Sequence, residues 1–131
     1  MTRFVLAALL VAAACGGDDG GGGGNPADAK LADAASSNKV VAVTCPTTAD
    51  ATVTIAQSGT AYMPMATTVP VNAVVKFVMT STHDAKPNTL TTTDPGLTVN
   101  FGETKCLKFT ATGTFGFFCS AHSFAGTVTV Q

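Results

Sequence analysis

Cys119 and His122 stand three residues apart, directly after the apolar run Thr114-Phe115-Gly116-Phe117-Phe118, and the chain has only one other histidine, His83. One thiolate and two imidazoles make a trigonal set that selects copper over harder ions, because soft sulfur and borderline nitrogen suit both Cu(I) and Cu(II). The four cysteines divide into separate roles. Cys15 closes an apolar leader, Cys119 belongs to the candidate metal set, and Cys45 and Cys106 remain as a possible pair. A different chemistry, Cys119 as nucleophile with His122 as its base, is disfavoured. An i, i+3 pair in a tight loop rarely aligns a base on its thiol, and no orienting Asn or Asp stands nearby. Copper oxidase or nitrite reductase activity needs a second, histidine-rich centre, and no histidine is left to build one. The expectation is therefore a protein that is not an enzyme.

The elements that must hold these residues are short strands. Runs rich in β-branched and aromatic residues fall at 40–44, 51–57, 66–71, 73–80, 89–92, 97–101, 105–110, 114–119 and 127–130. Cys45-Pro46, Ser58-Gly59, Asp94-Pro95-Gly96, Gly102 and Thr112-Gly113 break them, and no helical period exceeds two turns. This pattern predicts an all-β domain over 39–131, a Greek-key sandwich of seven or eight strands. Side-chain alternation places the candidates. Lys76 marks the solvent side of its strand, so Val75, Phe77 and Met79 point inward, with His83 in the loop beyond. Phe115, Phe117 and Cys119 share one face, and His122 follows in the next loop. Two strand ends and one loop therefore converge at one pole.

The formal net charge is −1 and no basic stripe is present, which excludes the electrostatic footprint of a nucleic-acid binder. The first residues read as an export signal over 1–14. Arg3 supplies the positive start, residues 4–14 are apolar, and Ala12-Ala13-Ala14 precede Cys15. That apolar stretch is shorter than the roughly 20 residues a spanning helix needs. A cysteine directly after small residues resembles the bacterial lipobox, which implies lipidation at Cys15. Residues 15–38, rich in Gly and Ala, form a flexible tether that reaches roughly 25–30 Å as a random coil. The resulting expectation is an exported lipoprotein of the periplasm or cell surface, held to a membrane by its N-terminal lipid.

The chain resembles the cupredoxins, the small type 1 blue copper proteins of the plastocyanin and amicyanin kind. The residues that carry the resemblance begin with Tyr62-Met63-Pro64 before a strand, Val75-Lys76-Phe77 leading to His83, and Gly102-Glu103-Thr104. They end with Gly113 through His122 and the closing Gly126-Thr127-Val128-Thr129-Val130. The resemblance implies that His83, Cys119 and His122 hold one Cu(I)/Cu(II) ion, and that the protein is a monomeric electron carrier working with a redox partner protein. Phe124, Ala121 and Ala125 would ring the exposed edge of His122 as the docking patch. The alternative is a copper-binding or buffering module without electron traffic.

Two departures stand out. Family members place a weak methionine ligand three or five residues after the second histidine, where this chain has Ala125 and Thr127. Copper is then three-coordinate with only the Thr82 carbonyl near it, or Met63, Met65 or Met79 approaches from elsewhere, or the position is open. The first is favoured, and it implies a raised reduction potential. Only Thr80-Ser81-Thr82 separates the strand from His83, fewer residues than usual. In an exported chain Cys45 and Cys106 are expected to form a disulfide, the competing pairing being Cys119 with one of them.

Overall fold

The structure is a computed structural model that describes residues 38–131. The expected signal, Cys15 and the tether as far as residue 37 lie outside the described residues. Nine strands follow in chain order: β1 (Val40–Val43), β2 (Ala51–Ile55), β3 (Tyr62–Met63), β4 (Ala66–Val69), β5 (Val74–Val78), β6 (Lys86–Pro87), β7 (Thr104–Phe109), β8 (Gly113–Phe118) and β9 (Ala125–Val130). They form two sheets, β1-β7-β5-β2-β3 and β4-β9-β8-β6. β2 pairs parallel with β5, and β4 parallel with β9, while the other pairings are antiparallel. The chain changes sheet repeatedly, so the neighbours of most strands are not their neighbours in sequence, the mark of a Greek-key sandwich.

The core sits between the sheets and is filled by the inward half of each alternating strand. Val75 and Phe77 from β5, Leu107 and Phe109 from β7, and Phe115 and Phe117 from β8 are all fully buried. Phe77 meets Phe117 edge-on at 5.3 Å, and Phe109 meets Phe115 in the same way at 5.3 Å. Fully burying such side chains contributes roughly 1.5–3 kcal/mol each, so these rings dominate the packing. Gly126 of β9 faces Phe117 across the ladder. A Cβ there would stand 2.6 Å from the Phe117 ring, so only a glycine leaves room for that ring.

The extra N-terminal strand is fixed in three ways. β1 pairs with β7 in the register Val40↔Phe109 to Val43↔Cys106. Just beyond it, Cys45 forms a disulfide with Cys106 across a sequence separation of 61, as the sequence leads one to expect. The buried Asp94 carboxylate also receives the N–H groups of Lys39, Val40 and Gly96. A carboxylate accepting three backbone donors is well compensated for its burial.

Two expected strands are absent. Residues 89–92 form a turn over Asn88, whose carbonyl takes the Thr91 N–H and the hydroxyls of Thr91 and Thr93. Local hydroxyl-to-backbone bonds compete with a ladder, and here they win. Residues 97–101 keep a single bridge, Ala85↔Val99. The two-residue strands β3 and β6 were not expected, and they bring the number to nine rather than seven or eight.

Candidate metal centre

Three connections meet at one pole. The chain leaves β5 through buried Met79 and reaches His83, which is 6% exposed. It leaves β8 at Phe118 and turns at once: the Cys119 N–H donates to the Phe124 carbonyl at 3.1 Å, and the His122 N–H donates to the Cys119 carbonyl at 3.3 Å. The third connection, between β2 and β3, holds Gly59 in a positive-φ conformation. Its carbonyl accepts from Nε2 of His83 at 2.9 Å. A carbonyl only accepts, so Nε2 carries a proton, and in the neutral ring Nδ1 is the atom with the lone pair.

The structure brings Cys119 and His122 into contact, with Sγ 3.5 Å from Nδ1. Sulfur and nitrogen donors at about 2.3 and 2.0 Å from a shared ion stand roughly 3.5–3.7 Å apart at angles from tetrahedral to trigonal. The His83 and His122 rings stack at 4.7 Å between centroids. Cys119 is buried and unpaired, which rules out its bridging to Cys45 or Cys106.

His83 does not complete a coordinating trio in this structure. Its Nδ1 is capped by the hydroxyls of Thr80 at 2.6 Å and Thr82 at 3.0 Å, and among the described residues no three His, Cys, Asp or Glu side chains form a metal-holding group. The short Thr80-Ser81-Thr82 connection puts those hydroxyls there, and they must turn aside for Nδ1 to ligate. In the neutral ring they donate to the Nδ1 edge, so that nitrogen is already in the tautomer a ligand needs. The donor set fits a copper ion in type, tautomer and Cys119–His122 spacing.

Sequence reasoning missed the residues behind the donors. Asp84 is fully buried, and its two carboxylate oxygens take the Ser120 N–H at 2.7 Å and the Ser120 hydroxyl at 2.6 Å. An acidic residue therefore does stand beside Cys119, contrary to expectation, yet it binds Ser120 rather than orienting His122. Burial pushes the Asp84 carboxyl up, but the Ser120 hydroxyl and N–H, the Cys119 thiol and the charge of Lys86 outweigh it and hold the group below its ordinary range. Tyr62, also buried, donates its hydroxyl to the Asp84 carbonyl at 2.6 Å. Its ring meets Phe117 at 4.7 Å and Phe124 at 4.8 Å. Burial, helped by the negative charges of Cys119 and Asp84, pushes its phenol well above the usual value. The available signal was adjacency, since Asp84 follows His83 and Ser120 follows Cys119. Of the methionines weighed as ligands, Met79 is packed in the core, while Met63 and Met65 are 60% and 62% exposed.

Residues 46–131 match the family model described as copper binding proteins of the plastocyanin/azurin family. The chain belongs to that family: it is a cupredoxin, and its cofactor is one copper ion. Among solved structures it is similar to a proline-to-glycine mutant of amicyanin in its reduced Cu(I) form at pH 4, with 21% identity, a TM-score of 0.57, and coverage of 72% of this chain and 100% of that one. It is likewise similar to amicyanin from Paracoccus versutus (Thiobacillus versutus), with 17% identity, a TM-score of 0.54, and coverage of 72% and 99%. At such identities these likenesses speak for the fold. No curated protein matches the chain in sequence.

Proposed function

We propose that this chain is an exported, membrane-tethered electron carrier in which Cys119 Sγ, His122 Nδ1 and His83 Nδ1 hold the copper. The observation that carries the reading is the 3.5 Å approach of Sγ to the His122 nitrogen beneath the stacked His83 ring. Copper, when bound, supplies a one-electron Cu(I)/Cu(II) couple. The protein supplies a site that changes little between the two states. Cys119 is clamped by the Cys119–Phe124 turn, and the Gly59 carbonyl fixes the tautomer and tilt of His83. His122 lies at the surface, where Thr60, Ala121, Ser123 and Phe124 surround it in a shallow concavity. Its ring edge is the short route for an electron to or from a redox partner protein.

The test is to load the full chain with copper and compare it with Cys119→Ser. The expected result is an intense visible thiolate-to-copper charge-transfer band with a reversible one-electron wave in the parent, both lost in the variant. A parent without the band refutes the ligand set. A band accompanied by a slow or irreversible wave refutes the carrier role and leaves a copper buffer.

A further inference from the structure

We propose that the Thr80 and Thr82 hydroxyls form a latch over Nδ1 of His83, so that Cys119 and His122 take copper first and His83 joins last, when the hydroxyls turn from the ring to each other. The inference rests on the copper reading above. In the neutral ring Nδ1 offers one lone pair, which a hydroxyl proton and a metal ion cannot share. Thr80 Oγ1 stands 2.6 Å from that nitrogen and Thr82 Oγ1 3.0 Å from it. The other two donors are not covered in this way. His122 is exposed, and its Nδ1 already lies 3.5 Å from Cys119 Sγ. His83, by contrast, is buried, with Nε2 tied to the Gly59 carbonyl at 2.9 Å.

The latch can open while the backbone stays in place. The Thr80 carbonyl accepts the N–H groups of His83 at 3.1 Å and Gly102 at 2.8 Å, so the main chain at Thr80 is held and only its side chain has to turn. The two hydroxyl oxygens lie 3.4 Å apart, within reach of each other once the ring edge is given up. Both threonines are exposed, so water takes the hydroxyl proton that is left over. Opening therefore costs about one net hydrogen bond, which lowers the affinity for a metal ion about fivefold relative to an uncovered ring.

The experiment uses the full chain at about pH 8, where an ordinary imidazole is neutral. The parent is compared with a double valine variant, Thr80→Val with Thr82→Val, and with a double serine variant, Thr80→Ser with Thr82→Ser. Copper affinity is read by competition with a chelator, the order of binding by stopped-flow growth of the thiolate-to-copper band, and the His83 ring by nitrogen NMR before copper is added. The parent is expected to develop the band in two phases. In the valine variant the slower phase is expected to quicken, and the affinity to rise about fivefold. Its Nδ1 resonance is expected to move to that of a lone pair without a hydrogen bond. The serine variant keeps both hydroxyls and is expected to behave as the parent. Hydroxyls that only brace the loop, or that bind the copper themselves, would make the valine variant bind more weakly. A fall or no change in its affinity, or a single phase in the parent, overturns the latch. Should the valine variant not fold, the nitrogen spectrum of the parent decides: an Nδ1 resonance shifted by an accepted hydrogen bond supports the latch, and one at the free value overturns it. A parent that shows no thiolate-to-copper band is a failure of the copper reading itself, seen before any variant is compared.

Discussion

The His83 ring makes three polar contacts, and they divide it into a protonated side facing Gly59 and an Nδ1 side facing Thr80 and Thr82. That division suits a ring proposed as a ligand, since a backbone carbonyl that cannot donate fixes the proton on Nε2. Tyr62 works at the same scale. Its hydroxyl reaches the Asp84 carbonyl at 2.6 Å from a buried ring. Tyr62→Phe keeps the aromatic contacts with Phe117 and Phe124 but leaves that carbonyl without its donor, at a cost of about 1–3 kcal/mol. The expected outcome is a lower urea midpoint with an unchanged slope. An unaltered midpoint would show that the bond contributes nothing net. His83, Cys119 and His122 stand out in the sequence as candidate ligands because histidine is rare in this chain and one of its two histidines lies three residues from a cysteine. Asp84, Ser120 and Tyr62 do not, because their roles depend on which atoms face each other across loops far apart in sequence.

At the scale of elements, β1 is the segment most dependent on a covalent link. It lies at the edge of its sheet with β7 as its one strand partner, and the Cys45–Cys106 bridge holds its far end. Closing a loop of that length removes unfolded-state entropy worth about 4 kcal/mol in the chain-entropy model. Replacing both cysteines by alanine is expected to lower the unfolding free energy by up to that amount, measured by urea denaturation. A loss below about 1 kcal/mol would mean that β1 pairing and the Asp94 bonds suffice by themselves. Strand parity was readable: the inward set Val75, Phe77 and Met79 and the set Phe115, Phe117 and Cys119 are all buried. The runs at 89–92 and 97–101 misled, because threonines favour strands only where no nearer carbonyl competes for their hydroxyls.

For the whole molecule, the described domain presents its ligand pole on loops, while its N-terminal edge lies at β1, which follows the segment expected to carry the tether. A lipid at Cys15 would confine the domain to a layer about one tether length from a membrane, favouring partners held in the same layer. Cys15→Ala is expected to move the protein from the membrane fraction to the soluble fraction, followed by immunoblot after cell fractionation. Membrane retention in that variant would contradict the anchor.

Composition and local pattern by themselves determined an all-β domain, its inward faces and the three candidate donors, since each of these follows from residue type and a period of two, whereas the Cys45–Cys106 pairing was an expectation that the structure decided. Only the tertiary structure decided which hydroxyls cap His83, that a buried carboxylate stands beside the thiol, and that both its oxygens are bound by Ser120. Those outcomes depend on contacts of 2.6–3.0 Å set by how the loops fold and meet, and no spacing along a sequence encodes them.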